Sequence, residues 1–116
     1  MIKSVNELKK EFNTLHEQEV TVQGWIRTNR AQKEFGFISF NDGSSVTNIQ
    51  IVYTKDLENF EQISKFRVGC SLTVTGKLLV TPNTKQDFEI NASSVYLKEI
   101  ALKIIQSNQK DILVNF

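Results

Sequence analysis

The sequence predicts a mainly β domain, a five-stranded Greek-key barrel with one helix ahead of the first strand and another between strands three and four. Three observations carry this. Apolar and polar residues alternate in five separate stretches, clusters of Gly, Asn, Asp and Ser punctuate them, and two short segments switch to a helical period. A chain of 116 residues suits one domain with a modest core.

Each element has its own signal. Ser4-Val5-Asn6-Glu7 is a capping-box pattern, in which Ser serves an orphan N–H and Glu reaches back three residues. Val5, Leu8, Phe12 and Leu15 follow at spacings of three and four, which marks a short amphipathic helix. From Val20 the period becomes two: Val20, Val22, Gly24 and Ile26 alternate with Thr21, Gln23, Trp25 and Arg27. Gly24 inside this strand suggests a bulge or tight bend at a barrel corner. A turn is expected over Ala31 to Glu34, a second strand over Phe35 to Phe40, a turn at Asn41 to Ser45 and a third strand over Asn48 to Tyr53. Asp56 to Ile63 reads as a helix capped by Asp56, with Leu57, Phe60 and Ile63 forming its apolar stripe. Ser71 to Leu79 is the fourth strand, Thr81 to Thr84 a loop holding the sole proline, and Phe88 to Tyr96 the fifth strand. That order is the layout of an OB-fold. The expected division is 1–99 for the barrel with its leading helix and 100–116 for a C-terminal tail, compatible with a helix, a hinge remnant or a strand.

Several function classes find no material. One cysteine, Cys70, makes no intramolecular disulfide, and with one histidine, His16, it cannot build the usual tetrahedral zinc site. Cys70 reads as a small buried hydrophobe, and His16 as a surface residue at the end of the first helix. No catalytic constellation and no glycine-rich phosphate loop appears. Met1 leads into a polar stretch, and no apolar run approaches the roughly 20 residues of a membrane span, so a cytoplasmic setting without a membrane partner is expected. The formal net charge of +1 means that any nucleic-acid site is a local patch, not a global field.

The patch singled out is Val20 to Tyr53. Arg27, Arg30 and Lys33 read either as a cationic edge for phosphates or as charges that keep a strand edge soluble. If Ile38 and Phe40 fill the barrel, Phe35 and Phe37 project outward, where exposed rings on strands are stacking platforms for bases; the other reading makes one of the two a core residue after a local bulge. Gln50 leaves the core face and can offer a base edge both a donor and an acceptor. Glu89, between core-facing Phe88 and Ile90, is either a solvated carboxylate or one that pairs with a base amine. Trp25 reads as a ring closing a barrel end.

These residues resemble a known family. Gly24-Trp25-Ile26…Arg30, Phe37-Ile38-Ser39-Phe40-Asn41-Asp42-Gly43-Ser44 and Gln50-Ile51-Val52 are similar to the N-terminal anticodon-binding domain of the class II synthetases for Asp, Asn and Lys. Within that group Ile26 to Arg30 and Asp42 to Ser44 look most like the asparaginyl-tRNA synthetases, and the resemblance runs over about Ser4 to Glu99. It implies that Arg30, Phe37 and Gln50 grip the central uridine of an anticodon, with Glu89 near the first anticodon base. It also implies a tRNA anticodon loop as partner, together with a synthetase catalytic domain or a homodimer partner. ATP and magnesium would belong to that catalytic domain, whose motifs this chain lacks, so no cofactor is expected here. Two other readings stay open on the residues alone: a general single-stranded nucleic-acid-binding barrel, and a free-standing paralogue acting as a protein-interaction or regulatory domain.

Overall fold

The computed structural model describes residues 2–82 and 86–99. The expectations for the tail, 100–116, lie outside the described residues. Helix α1 spans Val5–Glu11 and runs into a 3-10 turn over Phe12–Thr14; β1 is Glu19–Ala31, β2 Phe35–Asn41, β3 Ile49–Thr54, α2 Phe60–Ser64, β4 Ser71–Val80 and β5 Phe88–Glu99. The five strands close into a barrel in the order β1-β2-β3-β5-β4. All neighbours are antiparallel except β3 and β5, which run parallel through Gln50, Ile51 and Val52 opposite Glu89, Ile90 and Asn91. The expected architecture is the observed one.

Closure depends on β1. Its first part, Glu19 to Trp25, pairs with β4, and its second part, Trp25 to Ala31, pairs with β2. Trp25 sits at the crossing, with Asn41 on one side and Ser71 on the other. Of the bulge or tight bend expected at Gly24, the bulge falls three residues later, as a register shift between Ile26 and Thr28 that leaves Arg27 as the extra residue. Gly24 is needed for a different reason. A Cβ there would stand 2.3 Å from the carbonyl oxygen of Asn41, so the two backbones cross too closely for any side chain.

Alternation then sorts the side chains. Val20, Val22, Ile26, Ile38, Phe40, Ile51, Leu72, Val74, Leu78 and Ile90 are fully buried. Each such side chain contributes about 1.5–3 kcal/mol of hydrophobic stabilisation. Helix α1 adds Val5 and Leu8 to this core, and Phe12 stacks on Phe88 with ring centroids 5.4 Å apart. From α2 come Phe60 and Ile63, with Phe60 tilted against Tyr53 at 5.5 Å. Cys70 is buried as expected.

The capping box forms as read: Glu7 N–H donates to Ser4 Oγ and Ser4 N–H to Glu7 Oε1. A second cap comes from far along the chain. Val5 N–H donates to Asp42 Oδ2 at 3.0 Å, and Asn6 N–H to Ser44 Oγ at 2.9 Å, so the β2–β3 loop holds the start of α1. Helix α2 is shorter than expected, because Lys55 to Asn59 form turns rather than helix. Asp56 is not its cap. Asn59 precedes it without a side-chain cap bond and spends its amide on the carbonyl of Val95 at 2.8 Å. His16 lies beyond the 3-10 turn, where its Nδ1 accepts from Val80 N–H at 3.1 Å. Trp25 lies partly exposed at the level where β2 ends and β4 begins, over Gly43 of the β2–β3 loop.

Gly24→Ala pushes a methyl against the Asn41 carbonyl and lowers stability by at least about 1–3 kcal/mol; an unchanged urea midpoint would contradict the crossing. Burial tends to raise the Asp42 carboxyl, but hydrogen bonds from Ser44 and from the Val5 N–H outweigh this and hold it below its usual 3.8. A depressed carboxyl stabilises the fold above its unfolded value and loses that contribution as pH falls through the folded one. The stability gap between wild type and Asp42→Asn is therefore wider at pH 6 than at pH 3, as read from denaturant midpoints; a gap independent of pH would rule this out.

Candidate nucleic-acid interface

The residues that alternation sends outward on β1, β2, β3 and β5 make one continuous face. The strand register sets it in rows. Arg30 stands opposite Phe37, Phe37 opposite Val52, and Val52 opposite Asn91. In the next row Thr28 stands opposite Ser39, Ser39 opposite Gln50, and Gln50 opposite Glu89. Directly opposed side chains on one face lie roughly 4.5–5.5 Å apart at Cβ, and diagonal ones remain within reach of long side chains. Phe37 therefore has Arg30 on one flank and Gln50 on the diagonal of the other.

Phe35 and Phe37 meet edge to face, with centroids 5.3 Å apart and planes at 77°. Phe35 is 40% exposed and Phe37 half-buried. The T-shaped contact braces Phe37 from one end and leaves ring surface open on the platform, an arrangement suited to stacking a planar group. Neither ring is core, because Gly36, Ile38 and Phe40 take the inward positions.

Arg27 and Lys33 frame this face at its β1–β2 margin. Arg27 occupies the register shift, and Lys33 lies in the turn between Ala31 and Phe35; both are exposed, as is Arg30. Among the described residues, none of these three cations forms an ion pair. Their charges are available to a polyanion rather than spent on the protein's own carboxylates.

Gln50 and Glu89 are both half-buried, and Gln50 Nε2 donates to Glu89 Oε1 at 3.3 Å. On the amide's other side, Gln86 Nε2 reaches Gln50 Oε1 at 3.5 Å. Glu89 is thus neither a merely solvated carboxylate nor a lone negative charge on the platform.

The inward neighbour of Arg30 anchors the arm that carries it. Asn29 Oδ1 accepts from the Tyr53 hydroxyl at 2.7 Å, while its Nδ2 donates to the carbonyls of Ile63 and Phe66. One amide so ties β1, β3 and the end of α2. Burial pushes the Tyr53 phenol up, although the Asn29 bond lowers it, so the hydroxyl stays a donor.

Some of the surface had no mark in the sequence. Ser39 and Asn91 join the face only through strand register, beside Val52, which alternation already places with Gln50. A cleft of about 370 Å³ is lined by Lys9, Thr47, Asn48, Gln86 and Asp87 among others. Lys9 Nζ donates to the Thr47 carbonyl at 2.8 Å and to the Thr47 hydroxyl, and burial lowers its pKa. No local spacing links Lys9 to residues nearly forty positions on. Among the described residues no group of His, Cys, Asp and Glu is assembled to hold a metal ion, and no helix is long and apolar enough to cross a membrane.

With this geometry in place, known proteins give a consistent answer. A family model described as an OB-fold nucleic acid binding domain matches residues 20–97. The chain belongs to this family. The asparagine–tRNA ligase of Clostridium acetobutylicum is 45% identical over 98 residues, which is 84% of this chain and 20% of that protein. The asparagine–tRNA ligase of Alkaliphilus oremlandii is 53% identical over 78 residues, 67% of this chain and 17% of that one. The chain spans about a fifth of the length of the curated relatives it matches. Among solved structures, asparaginyl-tRNA synthetase from Pyrococcus horikoshii superposes with a TM-score of 0.70 at 25% identity, over 86% of this chain and 24% of that one. An OBody bound to hen egg-white lysozyme shares the fold at a TM-score of 0.67 and 17% identity, over 76% of this chain and 88% of that one. This OB-fold therefore corresponds to the anticodon-binding part of asparaginyl-tRNA synthetases.

The Asn29 anchor is open to a direct check. Tyr53→Phe removes the donor and leaves Asn29 Oδ1 unsatisfied at a part-buried site, at a cost of about 1–2 kcal/mol in global stability. Amide exchange at Asn29 and Arg30 should quicken alongside it. A variant as stable and as protected as wild type would show that the bond does not hold the arm.

Proposed function

We propose that this domain binds a tRNA anticodon loop and acts as the base-reading module of an asparaginyl-tRNA synthetase-like system. The observation that carries the reading is the gathering of Arg30, Phe37 and Gln50, far apart in sequence, into neighbouring positions on the outer face. Phe37, braced by Phe35, offers a ring on which a base stacks. Arg30 brings a rigid fork of donors to the base edge or its phosphate. Gln50, with Glu89 behind it, meets the base edge from the other side. Arg27 and Lys33 at the margin take phosphates and set the path of the strand. None of these contacts calls for a metal or small-molecule cofactor. A catalytic partner domain would supply ATP chemistry and acceptor-stem contacts.

The family resemblance favours RNA in a defined loop over single strands in general, and so does the charge. A net charge of +1 gives little non-specific pull, so affinity rests on stacking and base edges.

Phe37→Ala and Arg30→Ala should each weaken binding to an asparagine anticodon stem-loop by about 1–3 kcal/mol, with urea midpoints showing the barrel intact. Unchanged binding in both variants would refute the site. Equal affinity for poly-pyrimidine DNA and the stem-loop would point instead to a general single-strand binder.

A further inference from the structure

We propose that Glu89 is a positioning residue: its carboxylate orients the Gln50 amide so that Oε1 faces the ligand, making this position a hydrogen-bond acceptor that selects bases with an N–H on the facing edge. The proposal rests on the base-binding reading of this face.

The geometry is specific. Gln50 and Glu89 are directly opposed where β3 and β5 run parallel, and the amide nitrogen points at the carboxylate at 3.3 Å. A free glutamine amide turns over easily and can offer either its oxygen or its NH₂. An ionised carboxylate only accepts hydrogen bonds. Turning the amide over beside Glu89 would set two oxygens against each other, so the partner fixes its sense. Neighbours on the sheet do not compete for that role. Across β5 from Gln50, Glu89 is flanked by the half-buried, apolar Leu79, and among the described residues no lysine or arginine forms an ion pair with it. Ser39, opposite Gln50 on β2, carries only a short side chain.

The oxygen end is already arranged to meet a donor. Gln86 Nε2 approaches Gln50 Oε1 at 3.5 Å, a long contact that a well-placed base N–H can replace at shorter range. Uracil and cytosine test this choice with little change of shape. At N3 uracil carries a hydrogen, whereas cytosine carries a lone pair. Facing Oε1, uracil donates and cytosine sets acceptor against acceptor. Without Glu89 the amide can turn and serve either base.

The experiment uses the full chain and two anticodon stem-loops that differ only in U or C at the central position. Wild type should prefer the U loop by about tenfold or more. In Glu89→Gln, whose neutral amide can donate or accept, the ratio should fall to within about threefold, chiefly because the C loop binds better. The Gln50 side-chain NH₂ signals in a ¹⁵N correlation spectrum, assigned by their loss in Gln50→Ala, should shift in Glu89→Gln even without RNA. A U-to-C ratio in Glu89→Gln equal to that of wild type overturns the proposal, as do unmoved Gln50 NH₂ signals. Failure of the underlying reading looks different: binding would then be indifferent to Phe37→Ala, and wild type itself would not distinguish the two loops.

Discussion

The whole arrangement depends on β1 being shared. One strand pairs with β4 over its first part and with β2 over its second, and only at Trp25 does it pair with both. This sharing closes the barrel and removes the exposed edges that an open five-stranded sheet would present. It also fixes the rotational setting of β1, because the residues facing inward along β4 must still face inward along β2. The register shift at Arg27 absorbs the mismatch. Beyond it Asn29 points toward the core and Arg30 outward beside Phe37. A slip of one residue would exchange their places, burying a guanidinium and exposing the amide that ties three elements together.

Two polar anchors make this setting firm. Asn29 joins β1 to Tyr53 on β3 and to the end of α2. Asn41, among the few buried polar residues, has Nδ2 near the carbonyls of Ser45 and Thr47 and the Asn48 side chain, while its Oδ1 accepts from Gly43 N–H. Next to it Asp42 caps α1 across the fold. Buried amides are costly when unsatisfied, so each of these sites favours one loop conformation over its alternatives. The outer face inherits that rigidity. Arg30 is adjacent to the first anchor in sequence, and Ile49 and Gln50 leave directly from the loop that the second one shapes.

Much of this was legible in the sequence because it rests on local periodicity. Strand alternation separated Ile38, Phe40, Ile49 and Ile51 from Phe37 and Gln50, and burial follows that division. The capping box at Ser4 was legible for the same reason, since both partners lie within one turn. What escaped was set by partners distant in sequence. Asp56 looked like a cap, but Lys55 N–H is bound to the Glu34 carbonyl and Leu57 N–H to that of Thr54, so turns occupy the residues that would have begun a helix. Gly24 reads as a bulge or a tight bend at a barrel corner, and what it supplies is clearance at a backbone crossing whose other side, Asn41, cannot be inferred locally. Glu89 was ambiguous between a solvated charge and a ligand contact, and the parallel pairing that sets it against Gln50 supplies a third role.

That pairing also bears on the proposed recognition face of a nearly neutral domain. A carboxylate on a surface meant for a polyanion opposes its approach. Here the carboxylate is partly spent on an amide, while Arg27, Arg30 and Lys33 stay unpaired among the described residues. Positive charge is therefore displayed at the margin by Arg27 and Lys33 and beside the ring by Arg30, while the negative charge at the centre also holds an amide. A base-binding face of the proposed kind would draw little on long-range attraction and much on short-range fit: a ring with a guanidinium opposite it, and an amide of fixed sense in the next row. Short-range terms discriminate between ligands that the field cannot tell apart, because one hydrogen moved on a base edge leaves the phosphate charge unchanged.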